Sequence, residues 1–193
     1  RFLNRIYDDL ELEQFNKNKM LKSEGTIKST VLNYGLIMGG LTIAFTLMLF
    51  LMDMHYQNSS IQQWTGLLIM AGSIVFGQLA FKKINDGFIS LGEGMKIGIG
   101  IAALGSAIGI AYGIFQGYVL DPDTMSKAMD YAIEQAIQQN PEIGDEIVEA
   151  MEGAFEFFAN PLISSSIGMA VSLFFGGLIS LLTGLAVKKN RPA

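Results

Sequence analysis

The residues best suited to chemistry lie in two short stretches. His55, the single histidine, stands two residues from Asp53, and Asp121 and Asp123 flank Pro122. A histidine oriented by a carboxylate can act as a general base. An enzyme would need Asp53, His55 and the Asp121/Asp123 pair to converge in one pocket. With no fixed neighbour in the sequence, one histidine is a weak catalytic or metal candidate, and loop exposure is its simpler account. The Asp121-Pro122-Asp123 triplet lacks the other ligand positions and the central glycine of a calcium loop. No zinc-protease helix motif, nucleophile elbow, phosphate loop or dinucleotide fingerprint occurs. The absence of cysteine removes thiol catalysis, thiolate metal sites and disulfides. The expectation is a protein that is not an enzyme, with no catalytic residue, metal or cofactor.

A second polar set is embedded in apolar sequence: Ser73, Gln78, Tyr112 and Gln116. Gln78 lies one turn from Lys82, which suits a hydrogen bond between helices. A polar cavity around Gln78, Ser73 and Tyr112 would instead suit a transported solute. No ionisable residue falls inside these apolar runs, and such residues are the usual mark of proton or ion coupling. That weighs against an active transporter.

The elements that must position these groups are long apolar helices. Only 16% of the 193 residues are charged, against about 25% in an ordinary soluble domain. Residues 31–52, 64–81, 97–119 and 162–187 form uncharged runs of 22, 18, 23 and 26 residues. About 20 apolar residues cross the hydrocarbon core. The fold expected is therefore all-α, a polytopic membrane protein built as a four-transmembrane-helix bundle over residues 30–193. Residues 1–29 alternate in charge sign and read as a cytoplasmic arm or short helix. The chain opens at Arg1, and Met20 is an alternative start, so residues 1–19 are set apart from the membrane pattern.

Charge orients the bundle. Twelve of the thirteen basic residues fall in 1–30, 82–96 and the tail, leaving Lys127 alone in the other connections. Positive residues stay cytoplasmic. Both termini and the middle loop are expected to be cytoplasmic, with 53–63 and 121–160 outside, in the periplasm if the source is a Gram-negative bacterium. Eleven acidic residues lie on that outer side. The basic inner face suits anionic lipid headgroups, and nothing points to nucleic acid.

Between the third and fourth spans, residues 121–160 predict an extracytoplasmic amphipathic helical hairpin. Asp123 or Thr124 can cap its first helix, and Asn140-Pro141 ends that helix and can begin the second. Ile147, Met151, Ala154, Phe155 and Phe158 make an apolar stripe on the second helix. Asp145, Glu149, Glu152 and Glu156 make an acidic one, read as a solvated face that could also dock a basic partner or hold a cation.

Small residues mark the third and fourth spans. Gly94, Gly98, Ala102, Gly105, Gly109, Gly113 and Gly117 follow one line of the third span. Ser164, Gly168, Ser172, Gly176, Ser180 and Gly184 follow one line of the fourth. Lipid is as apolar as leucine, so membrane helices associate by close packing, which small residues permit. The two spans are expected to pack on each other. One of the faces is also expected to receive another integral membrane protein or a second copy of the chain. Ile89, Ser90, Leu91, Gly92, Glu93 and Lys96 form a candidate cytoplasmic contact element.

The order of three segments, ISLGEGMKIGIGIAALGSAIGIAYGIF, YVLDPDTMSKAMDYAIEQ and FANPLISSSIGMAVSLFFGGLISLLTGLAVKK, resembles the domain of unknown function 4199 (DUF4199) family of Bacteroidota membrane proteins. The resemblance covers about residues 28–190. It implies a four-span inner-membrane protein with no established activity, and it transfers no catalytic residue. It also suggests an accessory role beside envelope glycosyltransferases of the polyprenyl-phosphate type. The functional expectation is a non-catalytic accessory or scaffold subunit of a membrane complex. The alternative is a small transporter or flippase-like protein for a lipid or lipid-linked solute.

Overall fold

A computed structural model describes the backbone of residues 2–191, with side chains described at residue 14 and from residue 26 onward. Six α-helices and one π-turn follow in order: α1 (Phe2–Leu51), α2 (Ser60–Ile84), α3 (Leu91–Phe115), the π-turn (Gln116–Leu120), α4 (Thr124–Gln139), α5 (Asp145–Ala159) and α6 (Pro161–Val187). Among the described residues, four helical stretches are long and apolar enough to span a membrane: Thr26–Leu51, Ser60–Ile84, Leu91–Leu120 and Pro161–Val187. The second is longer than its uncharged run of 18 residues, because polar residues extend it at both ends. The arm expected over 1–29 is continuous with the first span as far as α1 reaches.

Local chemistry sets the helix ends. Ser59 and Ser90 each head a reciprocal capping box, with Gln62 and Glu93 returning to the cap backbone. Asn160 accepts from the Leu162 amide and Pro161 takes the first helical position of α6, where its missing N–H is no loss. The second helix of the connecting segment does not start at Pro141. Asn140–Gly144 make a turn, and α5 begins at Asp145 behind Gly144. Asp123 flanks α4 without a side-chain cap bond.

The third span is the centre of the bundle. It packs on α1 along one side and on α6 along another, while α2 touches all three. Met38, Met70, Ile74, Phe81, Ile89, Ile97 and Ile101 form the core. Large apolar side chains such as Leu68, Phe174 and Leu182 point outward, which is the arrangement a lipid solvent favours. The helix pair α4 and α5 packs on itself, and α5 reaches α6.

The two ends of the bundle differ in kind. At the basic end the tail is tied back: Ile89 and Lys189 exchange two backbone hydrogen bonds, 3.0 and 2.8 Å. Arg191 donates to Asn85 Oδ1 at 2.8 Å, and Lys189 and Arg191 lie over the Phe88 ring. Lys82 Nζ donates to the Val187 carbonyl at 2.8 Å, capping the end of α6. At the acidic end, the 52–59 connection meets the start of α4, as described below.

Candidate functional site

The small-residue lines are used unevenly along the membrane normal. In the basic half they do face each other. A methyl group at Gly98 would stand 2.7 Å from Ser180 Cβ and 2.9 Å from Ile74. One at Gly176 would collide with Ala102, and one at Gly94 would meet the Gly184 backbone at 3.4 Å. Further along, the same stripe of α3 changes partner. Gly105 faces Met38 and Gly109 faces Thr42, both on the first span, while Gly35 and Gly39 of that span receive Leu104 and Ile108. The two small-residue lines therefore meet each other in the basic half. Steps of four residues advance about 40° past a full turn, so a straight helix must present its stripe to different neighbours. At the acidic end, a methyl group added at Gly113, Gly117 or Gly168 would have nothing within 4 Å. Ser172 is half-buried, and Ser164 is exposed and donates to the Asn160 carbonyl.

Gln78 ties the closely packed half together. It is fully buried and its Nε2 donates to the carbonyls of Gly94 (3.1 Å) and Ser180 (3.2 Å). Ser180 Oγ donates to the Gly94 carbonyl at 3.0 Å. One amide thus links α2, α3 and α6 where absent side chains let the backbones approach. Ser73 turns inward on its own helix, donating to the Ile69 carbonyl at 2.7 Å. The polar set expected to line a cavity is divided: Gln78 and Ser73 are engaged here, and Tyr112 lies near the opposite end.

The candidate contact element at 89–96 is mostly occupied. Ile89 is buried in the tail bridge, and Ser90 and Glu93 cap α3. Gly92 and Lys96 are exposed. Asp145, Glu149, Glu152 and Glu156 are all exposed along α5.

At the acidic end, four side chains from three segments meet. His55 Nε2 lies 3.0 Å from Asp121 Oδ2 and 3.3 Å from Thr124 Oγ1. Lys127 Nζ donates to the same carboxylate oxygen at 2.8 Å, and Thr124 Oγ1 donates to the Asp121 carbonyl at 2.7 Å. The Thr124 proton is thereby committed, so its lone pair and the carboxylate both await a donor. That assigns the imidazole proton to Nε2. The Lys127 ammonium, and after it His55, hold the Asp121 carboxyl below the ordinary 3.8, while Asp121 holds Lys127 above 10.5. Phe50 and Tyr56 set their rings edge-on to the imidazole at 5.2 and 5.4 Å, and Tyr56 meets Tyr131.

Loop exposure is thus corrected for His55. Its side chain is 3% exposed and that of Asp121 11%. Asp53 and Asp123 do not join them; both act on Lys127 through charge alone. The convergence needed for catalysis is partial, giving one histidine and one carboxylate. Sequence reasoning missed Thr124 and Lys127 as partners, although Lys127 was marked by being the lone cation of its side.

Residue positions 112–121 complete the site. The π-turn closes with the Asp121 amide donating to the Gln116 carbonyl at 2.9 Å. Tyr112 and Gln116 stand one turn apart on α3 and its extension. Among the described residues, the buried side-chain polar atoms without a partner are His55 Nδ1, Gln78 Oε1, Tyr112 OH and Gln116 Oε1. Three of those four are at this end.

Comparison with the curated proteins and with the solved structures finds no match for the chain. A family model, described as "Protein of unknown function (DUF4199)", matches residues 33–189, a range that takes in most of the first span, the other three spans and the α4–α5 pair. The chain therefore belongs to the DUF4199 family.

Proposed function

We propose that the protein is a non-catalytic interaction subunit of a bacterial inner-membrane complex, receiving a transmembrane helix of a partner at the acidic half of its third and fourth spans. The observation that carries this reading is the contrast between Gly98 and Gly113. Glycines of one stripe are packed against the chain's own helices in the basic half, and Gly113, Gly117 and Gly168 are uncovered beyond it. Glycine costs a helix roughly 1 kcal/mol relative to alanine. A close-packed neighbour offsets that cost at Gly98, and within this chain nothing does so at Gly113. The hydrogen-bonded, closely packed surroundings of Gln78 count against a solute path there. The distribution of lysine and arginine supports a cytoplasmic position for the termini and the 85–90 connection, with the helix pair α4–α5 outside.

The test is gentle extraction of tagged protein at native expression, with wild type beside the Gly113→Leu/Gly117→Leu double variant. A first side-chain carbon meets open space at both positions, so the monomer is expected to keep or raise its thermal unfolding midpoint while co-purifying protein, or a second copy, is lost. Recovery of wild type as a lone monomer, or retention of the partner by the double variant, overturns the reading.

A further inference from the structure

The surface of α5 falls into three strips. Val148, Met151 and Phe155 are half-buried and mark the side turned toward the rest of the chain, where α5 meets α4 and α6. Asp145, Glu149, Glu152 and Glu156 are exposed along a second strip. The third strip is exposed and apolar: Ile147, Ala150, Ala154, Phe157 and Phe158. Ile147, Phe157 and Phe158 are 52, 55 and 43% exposed, so the chain leaves about half of each uncovered. At about 100° per residue, Ile147, Ala154 and Phe158 fall close to one line, and the acidic strip stands nearly opposite it. Scattered exposed apolar residues are ordinary. A helix that sets an apolar line against a charged one is suited to a boundary between water and an apolar phase.

The segment is tethered at such a boundary from both ends. The third span closes at Leu120, just before Asp121, and Asn160 alone separates α5 from Pro161, where the fourth span opens. Leu162 and Ile167, in the opening turns of that span, are also exposed. The apolar strip of α5 therefore ends where the lipid-facing wall begins. No lysine or arginine occurs in α5, so attraction to anionic headgroups cannot hold it at a membrane, and apolar contact must do so.

We infer that α5 lies along the leaflet at the acidic end of the bundle, with its Ile147–Phe158 strip seated in zwitterionic lipid at the boundary of headgroup and acyl chain. The acidic strip then faces water and keeps the helix from sinking further. Ile147 is the informative position. It stands about 20 Å from Asn160 at 1.5 Å per residue, so an α5 that rose from the membrane would carry it that far into water. A seated α5 holds it at the depth of Phe158. The inference goes beyond the subunit reading above and does not rest on Gly113 or Gly117.

Trp64 is the single tryptophan and points outward, so Trp64→Phe supplies a dark background. A new tryptophan is placed by Ile147→Trp or by Glu149→Trp, at exposed positions about 200° apart and at nearly one height of the helix. Ala154→Trp and Glu152→Trp repeat the comparison nearer the fourth span. Full-length protein is placed in phosphatidylcholine nanodiscs, with acyl chains either plain or brominated just below the headgroup. Brominated lipid is expected to remove most of the emission of the Ile147→Trp and Ala154→Trp variants and to spare the Glu149→Trp and Glu152→Trp variants. Acrylamide in the water should do the reverse. All four positions are exposed, so the unfolding midpoint of the bundle should match that of the Trp64→Phe background. Equal responses within each pair to both quenchers would set α5 in water and overturn the inference. So would protection of the Ile147→Trp reporter from acrylamide without quenching by brominated lipid, because a second copy of the chain would then cover the strip.

Discussion

At the scale of single residues, the same substitution should have opposite consequences along one helix. Gly98→Ala places a methyl group 2.7 Å from Ser180 Cβ, and overpacking of this kind costs about 1–3 kcal/mol. Gly113→Ala meets open space and removes a helix-weakening glycine, so it should stabilise by about 0.5–1 kcal/mol. Reversible unfolding of the two variants in mixed detergent checks both signs. Equal effects would mean that the contacts of the stripe do not differ along the membrane. The sequence showed that glycines at four-residue spacing serve close packing. It did not show where the partner changes, because the drift of the stripe acquires meaning only once the crossing of three helices is known. His55 was misjudged for a related reason. Its buried state depends on Asp121, 66 positions away, and no local pattern carries that information. Gln78 was legible, since an amide inside an apolar run must find a partner.

At the scale of elements, the join between the 52–59 connection and α4 rests on Asp121, and its charge gives it a pH profile. The Asp121 carboxyl is held below 3.8 in the fold, so its contribution is present above that value and lost as pH falls through the folded value. Lys127 is held above 10.5, so its contribution is present below that value and lost as pH rises through the folded one. Between about pH 5 and 9 both members of the Asp121–Lys127 pair are charged, and that pair should hold across the window. Hydrogen exchange of residues 124–131, corrected for intrinsic rates, should rise below that window as Asp121 is protonated and above it as Lys127 loses its proton. Asp121→Asn should raise exchange at neutral pH and remove the acid limb. Identical profiles for variant and wild type would show that the pair does not hold the join. The helices themselves were readable from run length and capping residues. Ser90 and Glu93 carried the spacing of a capping box, yet that motif also sits in an exposed-looking connection, where it reads equally well as a contact surface. The start of α5 was misplaced because proline suits a first helical turn and a preceding turn alike, and Gly144 took the cap.

At the scale of the whole molecule, the chain is a bundle with one basic end and one acidic end, both built from connections that touch. The tail at Lys189 is bonded to Ile89, and the 52–59 connection is bonded to Asp121 and to the first residue of α4. Four apolar runs and a segregated charge pattern were enough to foresee this topology, because lipid leaves few alternatives to an antiparallel helix bundle. The orientation proposed above rests on lysine and arginine placement. It can be tested on a background free of cysteine. Asn58→Cys and Asn140→Cys should react with an impermeant maleimide added outside intact cells or spheroplasts. Lys96→Cys and Asn190→Cys should react only after the membrane is opened. The reverse pattern would invert the assignment and place the acidic helices in the cytoplasm.

The π-turn at Gln116–Leu120 has a consequence for how this chain can vary. Measured against a regular α-helix, the turn holds one residue more than the pitch requires. A residue gained or lost without such a wide turn to absorb it would rotate everything beyond it by about 100°, swinging Asp121 away from His55 while leaving every helix intact. Chain length between Gln116 and Asp121 therefore works as a phase setting for the acidic end, whereas length between Asn140 and Gly144 is free to change. Insertions should be tolerated in the second stretch and should uncouple the first connection from α4 in the other.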